Sequence, residues 1–190
     1  MNRKRQKQIE EIAIATLRRC DAYPMNAFDL IRNGGIDVQH VATTLDIELM
    51  LYDFGDDVSG VLLRDGDKAK IGYSTQTGLL RQRFTIAHEL GHYILNHQRQ
   101  GVFVDTPEKY FTLFRDSRSS TGEDFQEREA NAFGAALLMP RELLIEAATN
   151  IYQTGITRNE DYDIVPVLAD NFKVSKLAMS IRLTNLDLVW

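Results

Sequence analysis

The chain has 190 residues, 44% hydrophobic and 26% charged, the balance of one globular domain with room for a small appendage but not for a large multidomain enzyme. A single cysteine, Cys20, excludes a disulfide framework and any site built from several thiolates, so a metal site would draw on four histidines and 27 acidic residues. The net charge of −5 is uneven: residues 1–20 hold six basic and two acidic side chains, a local +4, which leaves −9 on the remainder and argues against a broad phosphate-binding surface.

The basic start runs into Ile9, Ile12, Ala13, Leu17 and Cys20 at helical spacing, which predicts an amphipathic first helix rather than a nucleic-acid arm. No apolar stretch follows it in the manner of a secretory signal. That helix is expected to end near Tyr23-Pro24, a second at Asn33-Gly34-Gly35 and a third just before Leu45. Ile47 to Phe54, Val58 to Leu63 and Lys68 to Tyr73 then read as strands, the last two joined by a turn at Asp65-Gly66. Together they predict a small antiparallel meander, with Lys68 to Tyr73 as a possible exposed edge for an added substrate strand, or an edge guarded by its lysines.

From Leu79 to about His97 the pattern is helical, and residues 98–121 form a long mixed connection with a possible short strand at Tyr110–Phe114. A connection of that length is usually functional, here a lid or selecting loop beside a cleft. Helices follow from about Glu123 to Leu138, from Pro140 through Thr149, and over roughly 163–171 and 175–185. The longest stretches without charge, 130–140 and 147–157, have eleven residues each, too short to span a bilayer. A soluble cytoplasmic α+β protein is expected, with one unit over 1–150 and a small helical unit over 160–190.

Residues 88–92 read His-Glu-Leu-Gly-His. On a helix, His88 and His92 lie one above the other and can offer two imidazole nitrogens to one zinc ion. Glu89, turned by about 100° around the axis, can face a water at that ion without ligating it, the arrangement a hydrolytic site needs. Gly91 leaves room for another backbone to approach. Paired histidines also occur on helices that hold no metal, so a third ligand decides the matter.

Cys20 sits in the first helix, and His40 and His97 are poorly placed; continued along the helix, His97 falls opposite the pair. The helix 123–138 is the better source. Glu127, Asn131, Gly134 and Leu138 share a face, and Ala130 and Gly134 would allow close packing. Glu127 can complete the site, with Glu123 on the same face as a competitor. Asn131 is either a polar contact in the helix packing or a group that orients a ligand imidazole. Glu129, about 200° away from Glu127, is expected in solvent. An oxyanion donor is also required; Tyr73, Arg81, Tyr93 and Tyr110 are candidates that the sequence does not rank.

The run Arg81-Gln-Arg-Phe-Thr-Ile-Ala-His-Glu-Leu-Gly-His-Tyr93, with Glu127-Arg-Glu-Ala-Asn-Ala-Phe-Gly-Ala-Ala-Leu-Leu-Met-Pro140, resembles the ImmA/IrrE family of bacterial metallopeptidases. Val58-Ser-Gly-Val61 and the ending from Leu168 to Leu183 are similar as well, so the resemblance covers roughly 45–185. It implies a gluzincin-like pair of zinc helices, one zinc ion on His88, His92 and Glu127, and Glu89 as general base. It also implies cleavage of a folded helix-turn-helix transcriptional repressor in a mobile element or a stress response. Gly134 departs from the alanine usual there, at no catalytic position.

Two other readings compete. Residues 165–183 have the spacing of a helix-turn-helix, but 163–190 balance Lys173, Lys176 and Arg182 against Asp163, Asp170 and Asp187, whereas a DNA reader presents a basic face. DNA binding is therefore not expected. A non-catalytic regulatory module with structural zinc would call for a fourth protein ligand, which the sequence does not offer, while Glu89 is intact.

Overall fold

The computed structural model describes residues 1–55, 58–66, 68–97, 122–153 and 163–188; these form eight helices and three strands, an α+β arrangement. Helix α1 (Arg3–Arg19) starts at Asn2, whose side chain accepts the Arg5 backbone N–H at 2.8 Å. Ile9, Ala13, Thr16 and Leu17 form its buried face. It closes before the expected stop at Tyr23-Pro24: Asp21 turns left-handed at φ 52°, and the Ala22 N–H returns to the Leu17 carbonyl at 2.8 Å. Helices α2 (Ala27–Arg32) and α3 (Val38–Thr44) are capped by Asn26 and Asp37.

Strands β1 (Ile47–Tyr52), β2 (Gly60–Asp65) and β3 (Lys68–Ser74) form one sheet in the order β1-β3-β2. The expected antiparallel meander is corrected to a mixed sheet. β2 and β3 are an antiparallel hairpin, but β1 runs parallel to β3, with Ile47 opposite Ala69 and Leu49 opposite Ile71. Side-chain alternation sets which face of a strand is buried and leaves its neighbours open. Strand β3 is consequently the centre of the sheet, not an edge. Its backbone is paired on both sides, so an added strand could join only β1 or β2. Lys70 meets Glu48 of β1 at 2.7 Å on the exposed face.

Helix α4 (Leu79–Ile94) lies across the sheet, and α5 (Gly122–Leu138) packs between α4 and α1. Helix α6 (Arg141–Gln153) follows Pro140 and runs one turn past Thr149; α7 (Val165–Phe172) and α8 (Lys176–Asn185) close the described chain. Lys173 is left-handed between α7 and α8, and the Ser175 hydroxyl caps α8 by accepting the Ala178 N–H at 3.1 Å. One hydrophobic cluster joins Ile9 and Leu17 of α1, Ile71 of β3, Leu90 of α4, Phe133 of α5 and Phe172 and Met179 of α7 and α8. Among the described residues, no helix is long and apolar enough to cross a membrane. The expected strand at 110–114 and the lid at 98–121 lie outside the described residues.

Candidate metal centre

Every residue of α4 from Phe84 to His92 is buried, because the sheet covers one side of the helix and α5 the other. Two glycines permit this. At Gly60 of β2 a Cβ would overlap Thr85 Cγ2 and sit 3.4 Å from Glu89 Oε1, so the bare backbone lets the strand lie over the start of the motif. At Gly91 a Cβ would stand 3.0 Å from both the Cα and the carbonyl oxygen of Ala130. Backbone meets backbone there, as the small residues of both helices led us to expect.

That close crossing brings three ligand atoms together. The His88 and His92 Nε2 atoms are 3.0 Å apart; Glu127 Oε2 is 3.3 Å from the first, and its Oε1 is 3.5 Å from the second. Among the described residues, His88, His92 and Glu127 are a group able to hold a metal ion, their ligand atoms all within 4.8 Å of one another. Metal–ligand bonds of about 2.0–2.1 Å in tetrahedral array imply ligand separations of roughly 3.3 Å. The observed triangle fits, and a nitrogen–nitrogen–carboxylate set is a common one for zinc. Glu89, adjacent to His88, is fully buried.

Behind the ligands, the two histidines are held differently. His88 Nδ1 donates to Asn131 Oδ1 at 2.8 Å, from one turn beyond Glu127, which turns the bare Nε2 toward the cluster. His92 Nδ1 faces His97 Nδ1 at 2.9 Å, and His97 Nε2 lies 3.1 Å from Glu129 Oε2. Glu129 in turn accepts from the Arg5 guanidinium, Nε to Oε1 and Nη2 to Oε2, the latter at 2.7 Å. Burial alone would raise the Glu129 carboxyl, but the hydrogen bonds from Arg5 and His97 and the charge of Arg5 outweigh it and hold the group below its ordinary value.

Two expectations are corrected here. Glu129 is not in solvent but 2% exposed, because the far side of α5 is covered by α1. His97 does not fall opposite the pair, since α4 ends at Ile94 and Asn96 turns left-handed at φ 52°, which swings His97 back against His92. The uncharged run 130–140 carried a usable signal: a helix apolar on every side is buried on every side, so an acid beside it has protein around it.

The remaining candidates are dispersed. Tyr73 of β3 stands opposite Gly60 of β2, the residue whose bare backbone faces Glu89. Arg81 Nη2 donates to the Ser59 hydroxyl at 3.1 Å, next to Gly60. Tyr93 lies under the Arg64 guanidinium, 5.1 Å from its ring centre. Tyr110 lies outside the described residues, as does the Glu123 side chain. His40 Nε2 is 2.9 Å from the Cys20 carbonyl, remote from the cluster in sequence and contacts.

The sequence model of a peptidase family, described as the IrrE N-terminal-like domain, matches residues 42–184. The Metallopeptidase ImmA of Bacillus subtilis (strain 168) is 26% identical over 145 residues, 76% of this chain and 79% of that protein. A solved Mycobacterium tuberculosis transcriptional regulator aligns with a TM-score of 0.47 and 17% identity over 93% of this chain. This chain spans 51% of that regulator's length.

Proposed function

The chain belongs to the ImmA/IrrE family of metallopeptidases, and on that premise we propose that it is a zinc-dependent endopeptidase whose substrate is a helix-turn-helix transcriptional repressor. The observation that carries the reading is the convergence of His88, His92 and Glu127 within 4.8 Å, with the buried Glu89 beside them. His88, His92 and Glu127 would hold one zinc ion. When bound, the ion supplies a Lewis acid for the scissile carbonyl and a lowered pKa for water.

The protein's own part is proton handling and positioning. Glu89 takes a proton from the attacking water and delivers it to the amine nitrogen as the peptide C–N bond breaks. Asn131 keeps the His88 ring in the orientation that points Nε2 into the cluster. Substrate backbone could pair with the edge strand β2, which ends the sheet on the side of Gly60 and Glu89. The repressor itself is what kinship with the family implies.

The experiment incubates zinc-quantified protein with purified helix-turn-helix regulators from the same genome and follows cleavage by gel and mass spectrometry. The wild-type chain is expected to cut at a single position. Glu89→Gln should keep its zinc and lose about 10²- to 10⁴-fold in rate, the weight of a general base. A Glu89→Gln protein that cuts at the wild-type rate, or a zinc-loaded wild type that never cuts, overturns the proposal.

A further inference from the structure

The contacts on the far side of His92 carry an inference of their own, which rests on the metal-centre reading. An ionised carboxylate can only accept hydrogen bonds. Glu129, bound to the Arg5 guanidinium, therefore requires His97 to carry its proton on Nε2, 3.1 Å away. As a metal ligand through Nε2, His92 carries its ring proton on Nδ1, so His97 Nδ1, facing it at 2.9 Å, is the acceptor. His92 is left with a bare Nε2, and that is the nitrogen 3.0 Å from His88 Nε2 and 3.5 Å from Glu127.

We propose that Arg5, Glu129 and His97 form a positioning relay that sets the tautomer and ring orientation of His92 as a metal ligand. Hydrogen bonding from the Glu129 end and ligation at the His92 end assign the same tautomers. His92 and Glu129 are almost completely buried and His97 is 8% exposed, so no bulk water competes for these bonds. A ligand imidazole generally needs such a partner on its second nitrogen; Asn131 serves His88 directly, whereas His92 is served through three groups. Arg5 lies on α1, outside the 42–184 span that matches the family. The first helix thereby becomes part of the metal centre rather than a cover for it.

The test uses the full chain, with zinc affinity measured by chelator competition and the visible spectrum of the cobalt(II)-substituted protein recorded for each variant. His97→Leu fills space but accepts nothing; it should weaken zinc by about 10- to 100-fold and alter the cobalt bands. His97→Asn keeps an acceptor near the position of Nδ1 and should recover most of the affinity. Arg5→Met should weaken zinc less than His97→Leu. It sits at the partly exposed end of the relay, so it decides the matter if His97→Leu does not fold.

A His97→Leu protein equal to wild type in affinity and cobalt spectrum overturns the relay, as does His97→Asn proving no better than His97→Leu. An unchanged zinc affinity in Arg5→Met removes α1 from it. The parent reading has a separate control: if His88→Ala holds zinc as tightly as wild type, the metal centre is misplaced and the relay falls with it.

Discussion

Helices α4 and α5 are joined by the absence of side chains, whereas α8 is tied to α1 and to the residue after α5 by a long one. At the first crossing, Gly91 lies where a Cβ would meet the Ala130 backbone at 3.0 Å, and a Cβ at Gly134 would stand 3.2 Å from the His88 backbone nitrogen. At the second, Arg182 of α8 donates to the Met139 carbonyl from Nε at 3.0 Å and Nη2 at 2.9 Å. The same guanidinium pairs with Glu10 of α1, Nη2 to Oε2 at 2.8 Å. Close backbone approach is what three short ligand side chains need if they are to meet at one ion. An arginine spans a wider gap and fixes position without bringing backbones together. The first contact builds a site and the second holds a support.

The largest expected effect tests the tight crossing. Gly91→Val pushes a branched side chain into the Ala130 backbone and the Phe133 Cβ, and backbone cannot move aside as a side chain can. We expect a loss of about 3 kcal/mol, the upper part of the usual overpacking range, together with loss of stoichiometric zinc. Denaturant melts and metal analysis would check both. Unchanged zinc in a folded Gly91→Val protein would mean that the ligands do not depend on this approach.

Arg182→Met tests the other contact. It strands the Met139 carbonyl and leaves Glu10 without its partner, which we expect to cost about 2 kcal/mol. The zinc content should stay at wild-type level, because none of the cluster atoms touches Arg182. If zinc falls in parallel with stability, the two helix pairs are one cooperative unit and the contrast drawn between them does not hold. Asn131→Ala is milder in stability but specific to the site: zinc affinity should fall by about tenfold, with the melting curve of the metal-free protein little moved.

The sequence made the tight crossing legible and the wider relations not. His88, Glu89 and His92 sit on one helix and Glu127 and Asn131 on the next, so helical spacing alone brings His88, His92, Glu127 and Asn131 to the faces that meet. Ala130, Gly91 and Gly134 announce the close packing. The sheet order could not be read in this way, because strand pairing is a relation between distant segments and alternation in β3 is the same for a central strand and an edge. Glu129 and His97 failed for a local reason each. The helical wheel places Glu129 away from α4 but cannot say that α1 waits on that side. It places His97 wrongly because α4 ends three residues earlier, at Ile94, and Asn96 then turns left-handed. The relay is therefore a product of the tertiary arrangement.

The smallest expected effect concerns DNA, where the support pair would gain a function of its own. Residues 163–190 carry three cations, Lys173, Lys176 and Arg182, and three acids. Arg182 is 3% exposed and committed to Glu10 and Met139, so it can reach no phosphate. Lys173 and Lys176 remain, and Lys173 already meets Asp170 at 2.9 Å. Two phosphate contacts would give a log–log salt slope of only about −1.8, far from the steep dependence of a protein that reads duplex DNA. Filter binding at low salt should accordingly show no retention attributable to α7 and α8, and Lys176→Ala should change nothing. A steep slope that Lys176→Ala lowers by about one would instead make these helices a second functional surface, and their anchoring by Arg182 would then serve to present it.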